Sequence, residues 1–126
     1  LGDQRFDLVL VLGILHLHEG WRDTLARAWR RTAGLLIFDL REIDAPTIED
    51  KQRSYFRMDF GEGPCDVALA RLPYNLINAG EALGEVRRLC PGAQAISQFG
   101  YVHPLSASAT APVADAMVNV WSVERG

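Results

Sequence analysis

Hydrophobic positions along this chain change period several times, and each change predicts an element. The run "FDLVLVLGILHLHEGW", Phe6 to Trp21, carries seven large aliphatics broken by one glycine and ends in two histidines. Continuous rather than alternating apolarity predicts a strand over Phe6–Gly13 that is buried on both faces. Such strands lie inside a sheet, yet almost no chain precedes this one. In "EGWRDTLARAWRRT" the period lengthens: Trp21, Leu25, Ala28, Trp29 and Thr32 recur at helical spacing and predict a core-facing stripe. Arg22, Arg27, Arg30 and Arg31 fall off the stripe and read as a solvated face, with cations favoured near the helix C-terminus. Ala33-Gly34 predicts the helix end. "LLIFDLRE" then predicts a second apolar strand, Leu35–Leu40. Strand, helix and strand at this spacing make a right-handed crossover between parallel neighbours. The fold class is α/β.

From Ile43 to Asn75 the pattern loosens. Phe56, Met58 and Phe60 alternate, "GEGP" supplies turn residues and "DVALARL" follows, which together predict a β-hairpin excursion. An insertion this long is usually a lid or a substructure of its own. In "NAGEALGEVRRLCPG", Asn78 is an N-cap with Glu81 three residues on, and Pro91-Gly92 mark the stop of a helix. Ala79, Ala82, Leu83, Val86 and Leu89 form its apolar side, and Cys90 sits at its end. "AISQFGYVHP" and "MVNVWSVER" predict two more strands, joined by a mobile small-residue loop, "LSASATAPVAD".

Composition narrows the class. A chain of 126 residues fits one domain, and 48% hydrophobic with 23% charged residues is ordinary for a globular protein. A net charge of -3 argues against nucleic acid as a partner, since phosphate binding needs a basic stripe. No apolar run reaches membrane-spanning length. Cys65 and Cys90 form no C-x-x-C pair, which favours reduced thiols in a cytoplasmic protein.

The order of elements resembles the C-terminal half of a class I S-adenosylmethionine-dependent methyltransferase, a Rossmann-like fold. Phe6, Asp7, Val9, Leu15 and His16 match the family's fourth strand and its exit. "RTAGLLIFD" is similar to the turn into strand five, with the usual Pro-Gly-Gly reduced to Ala33-Gly34. The last two strands look like the antiparallel pair that closes the fold. The resemblance implies a half-sheet: two parallel strands with a crossover helix, an insertion, a helix and a C-terminal antiparallel pair. It also implies that the single domain, residues 1–126, is truncated at its N-terminus, with residues 43–75 as a lid-like insertion. The glycine-rich turn that carries the cofactor in this family is missing. In the complete protein the implied function is methyl transfer from S-adenosylmethionine to a small-molecule acceptor. In that frame Phe6–Gly13 has lost its strand neighbour, which predicts a second polypeptide or second copy covering it.

Carboxyl ends of parallel strands are where such folds place ligands. Gly13, Ile14 and His16 are the implied cofactor-binding residues. His18 is the candidate general base, because an ordinary imidazole suits proton removal at neutral pH. Asp39 is a second candidate catalytic group, to orient a histidine or bind a substrate amine, unless it pairs with Arg41. Arg41, Tyr55, Tyr74 and Asn75 are candidate acceptor-binding residues: a guanidinium for an anion, aromatics for stacking or a sulfonium. Tyr101 and His103 are weaker candidates. The blander reading has one histidine capping the following helix and the other packed beneath Trp21. Two other functions compete. One is a non-catalytic module that dimerises through the open sheet edge. The other is a metal-dependent hydrolase using His16, His18 and Asp39 as ligands.

Overall fold

A computed structural model of the chain describes residues 3–58 and 71–126. Strand β1 (Phe6–Val11) leads through a 3₁₀ turn (Leu15–Leu17) into helix α1 (Trp21–Arg30) and strand β2 (Thr32–Ile43). Three short strands follow: β3 (Tyr55–Arg57), β4 (Arg71–Pro73) and β5 (Ile77–Asn78). Helix α2 (Ala79–Leu89) precedes β6 (Ala93–Pro104), β7 (Ala109–Thr110) and β8 (Asp115–Arg125). The main sheet runs β1-β2-β8-β6, with β5 also joined to β2. β1 and β2 are parallel, whereas β8 is antiparallel to both β2 and β6. Two parallel strands with a helix between them, and a closing antiparallel pair, are therefore present. A smaller sheet, β4-β3-β7, stands apart.

Both helices cover one face of the sheet. Leu36, Phe38 and Leu40 alternate along β2 and meet Trp21, Leu25 and Trp29 of α1, Ala82, Val86 and Leu89 of α2, and Trp121 and Val123 of β8. Phe38 and Trp121 lie on adjacent strands with nearly parallel rings, centroids 6.2 Å apart. A buried indole must find an acceptor for its N–H, and all three do. Trp21 donates to Glu49 (2.8 Å), Trp29 to the Pro91 carbonyl (2.8 Å) and Trp121 to Glu42 (2.9 Å).

Several expectations change. The first strand is not buried on both faces: Val11 faces the core, whereas Leu8 and Leu10 are 52% and 55% exposed. Side chains alternate across a strand, and among the described residues only the helix-bearing face of β1 is covered. Among the described residues β1 is also a border strand of the sheet, paired with β2 alone. The first helix ends at Arg30 rather than at Ala33-Gly34. The Arg31 N–H bonds the Arg27 and Ala28 carbonyls, and the Thr32 hydroxyl donates to Ala28 at 2.8 Å, which closes the last turn. Thr32 therefore opens β2 instead of ending the helical stripe. Gly34 serves the strand: a Cβ there would lie 2.6 Å from the Asp7 carbonyl oxygen, where the pairing register slips between Phe6 and Leu8. β2 is also longer than the predicted Leu35–Leu40. Arg22 is not simply solvated but bridges Glu49 (2.5 Å) and Glu85 (2.8 Å), tying α1 to the insertion and to α2.

The second helix starts as predicted, with the Asn78 side chain accepting from the Gly80 N–H at 3.0 Å. Cys90 is its C-cap and is buried, which pushes its thiol up to about 11. Within the insertion β3 and β4 pair antiparallel, so the hairpin is present at its base. Phe60, "GEGP", Cys65 and most of "DVALARL" lie outside the described residues. The small-residue loop predicted to be mobile contains β7, which pairs with β3 and fastens the loop to the insertion. Ile43, Ile48, Tyr74, Leu76 and Ala116 make a second apolar cluster under the small sheet. Among the described residues no helix is long and apolar enough to cross a membrane.

Replacing Gly34 with alanine drives a methyl into backbone, so Gly34→Ala is expected to destabilise the fold by roughly 1–3 kcal/mol. Gly84 lies within α2, and a Cβ there meets nothing within 4 Å. Gly84→Ala is expected to stabilise by about 0.5–1 kcal/mol. Urea denaturation of the two variants, moving in opposite directions, checks both.

Candidate functional site

The carboxyl ends of β1 and β2 are locked together by one carboxylate. Leaving β1, the chain turns at Gly13, whose φ of 70° suits glycine. This turn aims the Gly13 N–H at Asp39 Oδ1, 2.6 Å away on β2. Asp39 Oδ2 accepts from Arg41 Nη1 at 2.5 Å. Both oxygens of Asp39 are thus engaged, one by backbone and one by a guanidinium. Asp39 and Arg41 are two residues apart on a strand, so they share a face, the one turned away from the helices.

The 3₁₀ turn that follows is held from the insertion. Asn75 is buried and donates its side-chain amide to the carbonyls of Leu15 (3.0 Å) and His18 (2.8 Å). Its own N–H reaches the His16 carbonyl at 2.7 Å. Three bonds from one residue thus set the path of the histidine-bearing loop. Asn75, a candidate acceptor-binding residue, spends its amide on the backbone.

The two histidines diverge. His16 is buried, its ring edge-on to Tyr74 with centroids 5.6 Å apart. Among the described residues nothing bonds His16 Nδ1. Burial, helped by the charge of Arg41 and opposed by that of Asp39, lowers the pKa of His16 to about 4. It is neutral at physiological pH. His18 is exposed, at the C-cap of the 3₁₀ turn. Neither histidine caps α1, whose N-cap is Gly20 with no side-chain bond, and His16 packs on Tyr74 rather than beneath Trp21. Asp39 orients Gly13 and Arg41, not a histidine.

Tyr74 stacks on Phe56 at 6.5 Å and shares its backbone with Ser54, whose hydroxyl donates to the Tyr74 carbonyl at 2.6 Å. Tyr55, on the same short strand as Phe56, carries the Arg71 guanidinium 4.2 Å above its ring. Arg41 and Tyr74 come together in lining one cavity of about 170 Å³, with Tyr101 and His103 of β6. Tyr55 and Asn75 do not line it. Among the described residues no group of three His, Cys, Asp or Glu side chains converges as a metal site requires. The hydrolase arrangement of His16, His18 and Asp39 is not assembled.

Sequence reasoning missed Glu42. It is buried at the end of β2 and accepts from Asn119 (2.8 Å) and Trp121 (2.9 Å). Burial raises its pKa, against the pull of those two bonds. Alternation carried the signal: one residue past Arg41, Glu42 must face the helix side, away from that guanidinium.

No protein-family model matches the chain, and no curated protein does. Solved structures do share its fold. The N-terminal domain of EvdMO1 in the presence of SAH and D-fucose superposes with a TM-score of 0.56 at 12% identity, covering 97% of this chain and 48% of that one. The same domain with SAH bound gives a TM-score of 0.51 at 17% identity and the same coverage. The chain therefore has the mixed α/β fold of a domain seen with SAH, the product of S-adenosylmethionine-dependent methylation. It spans about half the length of those neighbours.

A buried neutral histidine makes stability pH-dependent. The unfolded chain binds a proton near 6.5, the folded chain only near 4, so protonation favours unfolding as pH falls between those values. The contribution is present in full above 6.5 and amounts to roughly 3 kcal/mol at most. His16→Gln is expected to lose less stability than the parent between pH 7 and about pH 4.5, read by urea denaturation at each pH.

Proposed function

We propose that this chain is a methyltransferase-like domain, corresponding to the C-terminal half of a class I enzyme that methylates a small-molecule acceptor. The observation that carries this reading is the fold shared along 97% of the chain with a domain seen with SAH. The strand arrangement supports it, since two parallel strands with a crossover helix and a C-terminal antiparallel pair are what the resemblance implies.

S-adenosylmethionine, when bound, supplies an electrophilic methyl group. The residues present suit only one end of it. Gly13 and Ile14 form the rim of the first strand, and His16 offers a buried nitrogen with no partner among the described residues. The glycine-rich turn for the nucleotide end is not in these residues, so further polypeptide completes the site. Methyl transfer is an in-line displacement, which needs alignment and exclusion of water more than a covalent nucleophile. Asp39 positions the Gly13 turn and Arg41 in one step. Asn75 holds the loop that presents His18, the exposed imidazole available to take a proton from the acceptor. Arg41, Tyr55 and Tyr74 face or flank the acceptor side, with the insertion as its lid. D-fucose in one neighbour supports a small polar acceptor as the class.

Calorimetric titration of the purified chain with SAH tests the reading. Saturable binding that His16→Ala weakens is expected. No heat at millimolar SAH, from this chain or from one extended to include a glycine-rich strand-turn-helix, overturns it.

A second reading has its own observation: Leu8 and Leu10 on the border strand, and Leu12 just past its end, are each at least half exposed. A flat apolar edge recruits another strand. A second copy, or the missing half of the domain, covers β1. Light scattering is expected to show a dimer of this chain alone, which Leu10→Lys disperses. A parent monomer removes the self-pairing form of the proposal.

A further inference from the structure

The cavity beside Arg41 is built from one row of paired residues and from the insertion. Arg41 on β2 lies opposite Val118 on β8, and Val118 lies opposite Tyr101 on β6. The next pair along is Ala116 with His103. Small side chains in the middle strand thus form a floor, and long ones on either side form walls. Tyr74 closes one end, fixed there by Phe56 and His16. The volume of about 170 Å³ equals about six liquid waters, room for one ring with a substituent.

The charged donors of the lining come from Arg41. A guanidinium carries five N–H donors in a planar fork, and among the described residues Arg41 spends one, on Asp39. Asp39 already accepts one bond at each oxygen, from Gly13 and from Arg41, which anchors the guanidinium at the cavity wall. His103 Nδ1 lies 2.6 Å from the Pro104 carbonyl, which only accepts, so that nitrogen carries the hydrogen. Its ring stands nearly perpendicular to Tyr101, centroids 6.2 Å apart. Aromatic walls favour a flat ring, and unspent guanidinium donors favour a carboxylate, which takes two of them in parallel.

We infer that the cavity between Arg41, Tyr74, Tyr101 and His103 binds a single-ring carboxylic acid, its carboxylate on Arg41 and its ring over Val118. This names the acceptor class for the site proposed above and rests on that reading for its role in methylation. Binding of the acid itself does not depend on the cofactor, so the two can fail separately.

The test uses benzoate as the probe and the chain without cofactor. Two-dimensional amide and methyl NMR spectra are recorded across a benzoate titration, with benzyl alcohol and inorganic phosphate in parallel. Saturable shifts at Val118, Tyr101 and Ala116 with benzoate are expected, and at least about tenfold weaker binding of the other two probes. Arg41→Met should weaken benzoate by a similar factor. Because that change also strips Asp39 of its partner, Val118→Phe provides a second variant that fills the cavity and leaves the ion pair intact; it should abolish the shifts. The inference is overturned if benzoate leaves those residues unmoved, if benzyl alcohol or phosphate binds as well, or if the folded Val118→Phe variant still binds benzoate. SAH binding in the calorimetric titration with no benzoate response would sink this inference alone.

Discussion

Asp39 is the joint on which the functional end of the sheet turns. Its two oxygens hold the backbone leaving β1 and the guanidinium of Arg41 on the neighbouring strand. Without a charge at this point the Gly13 N–H and Arg41 would each lack a short, charge-assisted partner. The loop bearing both histidines starts from that turn, and the cavity beside Arg41 has its wall set by it. A carboxylate placed here works as a fastener more than as an acid or base.

The sheet around this joint is covered unevenly. Three tryptophans and the aliphatics of two helices fill one face. On the other, the small sheet and its cluster roof only the end of β2, around Ile43, Tyr74 and Ala116. Leu8, Leu10 and Phe99 are left largely in water. It is on this open apolar surface that the proposed partner of β1 would lie.

How much of the site was legible depended on the kind of interaction. Strand ends bearing Gly13, His16, Asp39 and Arg41 follow from apolar runs that break into polar residues, so their gathering at one rim was readable. The local pairing of Asp39 with Arg41 was weighed and occurs. Asn75 was read as an acceptor-binding candidate, but its loop-holding role gave no signal: it sits 57 residues from His18 in sequence, and its three backbone bonds exist only once the insertion has folded back. Glu42 was legible only in the alternation of faces, which turns it from Arg41 toward Asn119 and Trp121.

Periodicity by itself determined the α/β class, the two parallel strands, both helices and the Asn78 cap, because these rest on spacing and local hydrogen bonding. It also gathered Gly13, His16, Asp39 and Arg41 at the strand ends, where apolar runs break into polar residues. Only the tertiary structure decided that β1 is covered on one face, that the chain's last strand slips between β2 and β6, and that β7 ties a loop to the insertion. Those outcomes depend on which surfaces meet across the molecule. A continuous apolar run looks the same whether its second face is buried by this chain or left for another.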